Sequence, residues 1–370
     1  MEQNSILHFL PASGGDFFWL QYGGEDSTAN IIVDTGLPSN CPSLIKIMRQ
    51  LKERHQCVDA LILTHIDDDH IGGFFRWLKT NPDIDLIKRI WFNTEKGLAN
   101  KLQEESSSKP DSQLQASSNV TDIQSKDYSV ATASSILDLL NKMSFKGLKN
   151  NTLSGDTVID LPYGATIRFI SPSSETALGF RTHWTESAAA LPQDYAAKSQ
   201  VLEDISVLQS YREPPDTSPT NGSSLAFLFD VGETHIAFLG DAFANVCIEG
   251  LKRFGYSKSN PYTASMIKLS HHGSARNLSD DLLQYIAGEK FLLSSSSARI
   301  SRTQKITIAK LLNFREHVSV YTNFSVPKSF FTKSDQIDYC DTKRLEVINI
   351  SERVGGHSVE LVGHLLLTGK

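Results

Sequence analysis

Four side chains able to bind a metal ion lie within six residues of the sequence, at His65-x-Asp67-x-Asp69-His70. They follow an almost unbroken apolar run at 58–63, the pattern of a strand buried on both faces. Carboxylates this close together repel one another unless a cation offsets their charge. The alternative, a solvated acidic turn at the start of a helix, is disfavoured by the two flanking histidines. We interpret the segment as part of a metal site.

Two later segments also place ligand-type side chains at the end of a predicted strand. Asp241 follows Gly240 after an apolar run, and it could bridge two cations, although Gly-Asp alone is more often a turn. His271 and His272 follow another apolar run. Because adjacent histidines point in different directions, we expect one to bind metal and the other to orient it or to contact substrate. Three such strand ends predict a binuclear metal site at one rim of the fold.

The rest of the chain supplies the elements that would position this site. Apolar patterns predict strands at 6–10, 17–22, 31–33, 58–63, 86–92, 166–170, 224–230, 234–239, 266–269 and 291–293. Helical spacing predicts helices at 43–55, 71–78, 131–143 and 303–312. Two strand-rich blocks, each with an amphipathic helix outside, favour an α/β (α+β) fold in which four layers form an αββα sandwich.

We expect one domain over 1–370 with two insertions. The first, at about 94–150, is rich in serine and poor in apolar residues. The second, at about 173–220, is irregular, with a possible helix around 194–208 and several prolines near its end. With 370 residues, of which 40% are hydrophobic, the chain can bury a substantial core.

Composition excludes several classes of protein. The formal net charge is −6 and no strongly basic block occurs, which argues against wrapping of nucleic acid by charge alone but leaves a local site open. Neither a disulfide framework nor a zinc ribbon fits the wide spacing of Cys41, Cys57, Cys247 and Cys340. The N-terminus is unlike a signal peptide and no apolar run reaches the length of a spanning helix, so we expect a cytoplasmic protein without membrane association.

The order of these motifs resembles that of the metallo-β-lactamase-fold hydrolases. It is most similar to the metallo-hydrolase domain of the DNA-uptake channel protein ComEC and its soluble relatives. The resemblance covers roughly 6–325 outside the insertions. It is carried by Thr64-His65-x-Asp67-x-Asp69-His70-x-Gly72-Gly73, Gly240-Asp241 and His271-His272-Gly273-Ser274. Other matching stretches are Gly15-Asp16, the Asp34-Thr35-Gly36 turn, Ile170-Ser171-Pro172 and Asn221-x-Ser223-Ser224-Leu225.

The resemblance implies two divalent metal ions, zinc or manganese, with magnesium possible. Asp67 stands where most of the superfamily has histidine, and the added oxygen ligand shifts the preference from zinc toward manganese or magnesium. By this resemblance one metal is held by Asp69, His70 and one of His271 and His272. His65 and Asp67 hold the other, and Asp241 bridges the two. The residues implied as catalytic are Asp67, Asp69 and His272.

Further residues would support the site or contact substrate. Four such candidates are Asp34 behind the ligands, Asn93 after a buried strand, His183 in the second insertion and Ser274 after the histidine pair. Lys268 interrupts a buried strand and could pair with a carboxylate near the metals. Arg299 and Arg302 could clamp a phosphate, but a solvated positive face is the commoner explanation for such a pair.

The activity implied by the resemblance is hydrolysis by a metal-bound hydroxide. The expected substrate contains a phosphodiester, as in DNA, RNA or a nucleotide, which would make the protein a phosphodiesterase or nuclease. One alternative is a hydrolase of esters, lactones or thioesters. Another is a metal-binding module without turnover, gated by a protein partner that binds through the insertions. The oligomeric state is left open.

Overall fold

The computed structural model of the chain describes residues 5–24, 27–95, 97, 128–149, 157–187, 203–350, 359–362 and 365–368. The strands of this described part are β1 (Ser5–Phe9), β2 (Phe18–Gly24), β3 (Ser27–Val33), β4 (Ala60–Leu63), β5 (Ile90–Phe92), β6 (Leu148–Lys149), β7 (Val158–Asp160), β8 (Thr166–Ser171), β9 (Ala226–Val231), β10 (Thr234–Phe238), β11 (Tyr262–Thr263), β12 (Met266–Lys268), β13 (Ile286–Ala287), β14 (Lys290–Leu293), β15 (Val318–Thr322), β16 (Leu345–Asn349), β17 (Val359–Val362) and β18 (Leu365–Thr368).

The α-helices of the same ranges are α1 (Cys41–Glu53), α2 (Asp68–Leu78), α3 (Tyr128–Lys142), α4 (Ser174–Ser187), α5 (Ile205–Leu208), α6 (Pro219–Gly222), α7 (Ala244–Arg253), α8 (Leu282–Tyr285), α9 (Arg302–Phe314) and α10 (Lys333–Asp335). In α1 the buried residues Leu44, Ile47, Met48 and Leu51 recur every three or four positions, which gives the helix one apolar face. None of the described helices is both long enough and apolar enough to cross a bilayer.

Two eight-stranded sheets dominate the described part of the chain. The first has the order β17-β18-β1-β2-β3-β4-β5-β6, and its strands from β3 to β6 are parallel. The second has the order β16-β15-β14-β12-β10-β9-β8-β7, and its strands from β10 to β16 are parallel. Because parallel strands direct their carboxyl ends to one edge of a sheet, the loops that follow them emerge together.

Three apolar clusters separate four layers of structure. The central cluster joins the two sheets, with Phe18 and Ile62 from the first and Phe227 and Phe238 from the second. A second cluster packs α1, α2 and α3 on the outer face of the first sheet, and a third packs α7 and α9 on the outer face of the second. The predicted αββα sandwich is therefore confirmed.

The stretch at 173–220 is more ordered than the sequence analysis predicted. It contains α4, where an irregular segment was expected; that expectation was wrong. Ala177, Phe180 and Trp184 follow one another at helical spacing and pack against the cluster outside the first sheet, which explains the helix. Of the helix expected around 194–208, the described residues contain only α5. Most of the first insertion and residues 188–202 lie outside the described ranges.

The C-terminal part of the chain adds strands that the sequence analysis did not predict. β15 and β16 extend the parallel part of the second sheet, and β18 pairs with β1 in the first sheet. The sandwich thus continues beyond residue 325, where the motif resemblance ended.

Candidate metal centre

The three motifs meet at one rim of the sandwich, where the loops after β4, β10 and β12 come together. Asp241 Oδ2 lies 3.6 Å from His70 Nε2, 3.7 Å from His65 Nε2, 3.8 Å from His272 Nε2 and 3.9 Å from His271 Nε2. These distances are too long for hydrogen bonds. They are near the separation of two ligands of one metal ion, about 3.4 Å for bonds of about 2.1 Å at a tetrahedral angle.

The other two aspartates of the first motif flank this cluster on different sides. Asp67 Oδ2 lies 3.5 Å from His65 Nε2. Asp69 contacts the other histidines, at 3.4 Å from His272 Nε2 and 3.9 Å from His70 Nε2. Asp67 thus adjoins His65, and Asp69 adjoins His70 and His272, but His65, His70 and Asp241 also form one group whose ligand atoms all lie within 4.8 Å of one another.

Several ligand atoms of the cluster are buried without a hydrogen-bond partner in the described structure. They are the Nε2 atoms of His65, His70 and His272. A buried polar atom that makes no hydrogen bond costs about 1–3 kcal/mol. Imidazole nitrogens and carboxylate oxygens directed at a common point are the donors that zinc and manganese take. The residues present therefore fit divalent metal ions.

His70 is oriented from behind by Asp34. The Nδ1 atom of His70 lies 2.8 Å from Asp34 Oδ2 and can donate to it. The backbone N–H and the hydroxyl of Thr64 also donate to the Asp34 carboxylate, at 2.7 and 2.8 Å. With its proton on Nδ1, the ring directs the Nε2 lone pair toward Asp241. The structure thus places Asp34 where the sequence analysis expected it, behind the ligands.

Asp16 is a member of the site that the sequence analysis did not select. Its carboxylate accepts a hydrogen bond from Ser294 and pairs with the buried ammonium group of Lys268, as expected for a lysine that interrupts a buried strand. It also lies 3.5 Å from His272 Nδ1 and 3.8 Å from His70 Nδ1. Because these atoms are on the opposite side of each ring from Nε2, we place Asp16 behind the ligands and not among them.

A close approach of two loops explains the Gly15-Asp16 sequence. The backbone N–H of Asp16 donates to the carbonyl of Asp69 at 3.1 Å. A Cβ atom at Gly15 would lie 1.9 Å from that same carbonyl oxygen, so only glycine allows the contact. This pair of residues was the one signal in the sequence that could have identified Asp16.

Electrostatic attraction within the cluster shifts its pKa values in opposite directions. Burial alone would favour the neutral forms, but the surrounding histidines lower the pKa of Asp241 and of Asp69. Burial opposes protonation of His272, yet Asp241, Asp16 and Asp69 raise its pKa to about 9. The carboxylates therefore stay ionised, and a metal ion that binds here must displace protons from histidine.

The adjacent histidines differ in orientation, as predicted, and they also differ in exposure. Their rings are inclined by 68° and both backbones are left-handed, with φ of 47° at His271 and 51° at His272. The side chain of His272 is 12% exposed, whereas that of His271 is 36% exposed. His272 thus lies deeper in the cluster, and His271 faces its opening.

A second set of polar residues, of which the sequence analysis named only Asn221, within a matching stretch, holds His271. The Nδ1 atom of His271 lies 3.1 Å from Asn277 Oδ1 and 3.2 Å from Asp216 Oδ2. Asn221 and Asn277 donate to the same oxygen of Asp216, at 2.7 and 3.0 Å. Asn277 also donates to the carbonyl of Asp241 at 3.1 Å. These contacts link the loop before β9 to the turn that carries both histidines.

The other predicted residues lie at different distances from the cluster. Ser274 supports the histidine turn, because its backbone N–H donates to the carbonyl of His271 at 2.9 Å. Asn93 is buried after β5, and His183 lies half-buried on α4. The distances that define the cluster within the described ranges involve neither Asn93 nor His183.

The two arginines singled out in the sequence are in different surroundings. Arg299 Nη1 lies 3.2 Å from Asp69 Oδ2, at the opening of the cluster. Arg302 instead donates to Glu203 at 2.6 Å, and its guanidinium stacks 4.0 Å above the ring of Tyr211. The structure therefore brings only Arg299 to the site.

Comparison with known proteins found one family model and several solved structures that are similar to this chain. A family model described as the Metallo-beta-lactamase superfamily matches residues 18–112, which contain the first motif. The metallo-beta-lactamase fold protein YhfI from Bacillus subtilis is 9% identical, with 94% of this chain and 96% of that chain covered and a TM-score of 0.40. Zn²⁺-bound PqqB from Methylobacterium extorquens is 10% identical, with 94% of this chain and 97% of that chain covered and a TM-score of 0.39. The E377D mutant of CmlA beta-hydroxylase is 9% identical, with 94% of this chain and 52% of that chain covered and a TM-score of 0.36.

No curated protein sequence matches the chain. The structural similarities are too remote to say what the chain does. The chain is similar to the metallo-beta-lactamase superfamily over the residues that the family model matches, and these residues include the first motif; its mixed sheets with outer helices form the αββα sandwich described above.

Proposed function

We propose that the chain is a metal-dependent hydrolase that binds two divalent metal ions, zinc or manganese, and cleaves phosphodiester bonds. The observation that carries the proposal is the position of Asp241, one oxygen of which faces the Nε2 atoms of four histidines at 3.6–3.9 Å. The match of residues 18–112 to the superfamily's model supports a hydrolase. The phosphodiester part rests on the resemblance of the three motifs to the ComEC-like branch.

The distribution of donors around Asp241 supports two metal positions. Asp67 adjoins His65, and Asp69 adjoins His70 and His272, while one oxygen of Asp241 lies within 3.8 Å of the Nε2 atoms of all three histidines. A carboxylate between two such groups is a suitable bridge for cations about 3.5–4 Å apart. The high share of carboxylate oxygens favours manganese or magnesium more than an all-histidine site would, without excluding zinc.

Bound metal ions would lower the pKa of a water molecule and polarise the oxygen of the scissile group. The chain's own contribution is to hold the ligands in place. Asp34 and Asp16 face the Nδ1 atoms of His70 and His272, which keeps the Nε2 atoms available on the inner side. His271, fixed by Asp216, is exposed enough to contact a substrate at the opening.

Assays on matched substrates test the proposal. Protein loaded with Mn²⁺ or Zn²⁺ is incubated with bis(p-nitrophenyl) phosphate, single-stranded DNA and RNA, and in parallel with p-nitrophenyl acetate, a lactone and a thioester. We expect hydrolysis of the phosphodiesters and its loss in Asp241→Asn. Asp59→Asn is the control, because Asp59 is also buried but pairs with Lys88 at 2.7 Å, outside the cluster.

The other outcomes overturn the proposal in different ways. Cleavage of carboxylic esters with intact phosphodiesters would assign an ester, lactone or thioester hydrolase. Bound metal without turnover of any substrate would indicate a binding module. A protein partner that binds through the insertions stays a prediction, since most of those residues lie outside the described ranges.

A further inference from the structure

The loop between β14 and α9 is attached to the metal centre at both ends. At its start, the hydroxyl of Ser294 donates to Asp16, which lies behind the ligands. At its end, the side-chain amide of Gln304 donates to the carbonyl of His272 at 3.2 Å. Arg299 lies in the middle of this loop, so its position relative to the ligands is fixed by contacts on both sides.

The side chain of Arg299 lies flat across Gly14 and ends at the opening of the cluster. Gly14 has φ of 104°, and a Cβ atom there would lie 2.8 Å from Arg299 Cδ, so glycine makes room for the arginine. The Nη1 atom contacts Asp69 Oδ2 at 3.2 Å and the Gly14 carbonyl at 3.5 Å. The side chain is 53% exposed, and its Nε and Nη2 atoms make no hydrogen bond to the described residues.

The charges around Arg299 favour an anion at this opening. Asp67, Asp69, Asp241 and Asp34 contribute four negative charges, which two divalent cations would balance, and the charge of Asp16 is balanced by Lys268. Arg299 adds a further positive charge beside Asp69, although the chain as a whole has a formal net charge of −6. A guanidinium whose Nε–H and Nη2–H groups make no hydrogen bond to the described residues presents one edge that matches the oxygens of a phosphate.

We propose that Arg299 binds a non-bridging oxygen of the substrate's phosphate group and is the residue by which the site prefers anionic phosphodiesters to neutral esters. This inference rests on the proposed function for its substrate class. Two observations carry it. The Arg299 guanidinium lies across Gly14 and contacts the predicted ligand Asp69, and the loop that carries Arg299 is attached to the site on both sides.

Kinetics of three variants test the inference. Arg299→Gln removes the charge, Arg299→Lys keeps it without the paired donors, and Arg302→Gln removes a nearby charge that is engaged with Glu203 away from the cluster. With bis(p-nitrophenyl) phosphate we expect Arg299→Gln to raise KM about tenfold, the size expected for one charge-assisted contact. The KM of Arg299→Lys for the same substrate should lie between that of Arg299→Gln and that of the wild type. Turnover of neutral p-nitrophenyl acetate and all constants of Arg302→Gln should stay unchanged.

Calorimetric titration with inorganic phosphate, with metal content measured on the same samples, gives a readout that needs no turnover. We expect about tenfold weaker phosphate binding in Arg299→Gln and unchanged metal content. If no phosphodiester is cleaved but this difference persists, Arg299 binds phosphate as inferred, whereas the proposed function and the substrate preference that rests on it fail. If phosphodiesters are cleaved while KM and phosphate affinity are unchanged in Arg299→Gln, the inference is overturned and the function stands. Loss of metal from Arg299→Gln would also overturn the inference, because it would show that Arg299 positions Asp69. Absence of phosphate binding by the wild type would overturn it as well.

Discussion

The Nε2 atom of His70 lies 3.6 Å from Asp241 Oδ2. The opposite nitrogen of the same ring, Nδ1, lies 2.8 Å from Asp34 Oδ2, a normal hydrogen bond. The ring is thus held firmly on its outer side, whereas its inner side is separated from the nearest carboxylate by the span of a shared metal ion. A packed core does not need this spacing, but a metal centre does.

The first prediction concerns the bridging position of Asp241. Wild-type protein incubated with Mn²⁺ or Zn²⁺ and then gel-filtered should hold about two equivalents of metal, as in other binuclear centres. Asp241→Asn should lose at least one equivalent, because the amide oxygen carries no charge to balance two cations. Elemental analysis of the filtered protein measures both quantities.

Asp59→Asn controls for the general effect of removing a buried carboxylate. Asp59 accepts from the backbone of Asn30 and pairs with Lys88, away from the cluster. This variant should keep the metal content of the wild type even if it unfolds at a lower temperature. Equal metal loss in both variants would contradict a bridging role for Asp241.

A second prediction tests the support that Asp34 gives to His70. Asp34 has φ of 54°, a left-handed conformation that asparagine tolerates well, so Asp34→Asn should keep the backbone in place. The neutral amide of asparagine accepts a weaker hydrogen bond from His70 Nδ1 than the Asp34 carboxylate does. The substitution should therefore lower metal affinity about 10–100-fold, the usual effect of changing a group behind a ligand. Competition with a chromophoric chelator measures the affinity. An unchanged affinity would show that Asp34 serves only the local turn.

The third prediction separates the two adjacent histidines. His272 is the deeper of the two and lies 3.4 Å from Asp69 Oδ2, whereas His271 faces the opening and is held by Asp216. We expect His272→Asn to reduce metal content and His271→Asn to retain it while lowering turnover of bis(p-nitrophenyl) phosphate. Asparagine is chosen because both backbones are left-handed. Metal loss confined to His271→Asn would reverse the assignment.

The parts of the site that could be predicted are local in the sequence. The 65–70 motif follows β4 directly, Asp241 follows β10, and the histidine pair follows β12. Because strand ends of this type meet at one rim, ligand-type residues at three such ends were enough to predict the convergence. The layer order followed from the same patterns, since each sheet has one face on the other sheet and one face under helices.

The parts that were missed depend on contacts between distant segments. Asp16 belongs to the site through Lys268 and Ser294, which are far away in sequence, and Asp216 lies in a proline-containing loop with no ligand-type spacing. β18 is defined by its pairing with β1, at the opposite end of the chain. The spacing of apolar residues shows only which face of one helix or strand is buried, so it could not identify these partners.

The last prediction concerns a buried ion pair that is not part of the ligand cluster. Lys305 Nζ lies 2.6 Å from Asp335 Oδ2, and Asp335 Oδ1 accepts from the backbone of Ile205 at 2.7 Å. Burial alone would raise the pKa of Asp335, but the hydrogen bond from Lys305 lowers it below 3.8. Asp335→Asn leaves the lysine charge buried and should lower the free energy of unfolding by about 3–5 kcal/mol at pH 7.

Since the pKa of Asp335 is lower in the folded state, the stabilisation by the ion pair is present above about pH 4 and is lost as the pH falls through the folded pKa. Urea unfolding from pH 3 to pH 8 should therefore show a difference between wild type and Asp335→Asn that shrinks in acid; a constant difference would contradict an ionised pair.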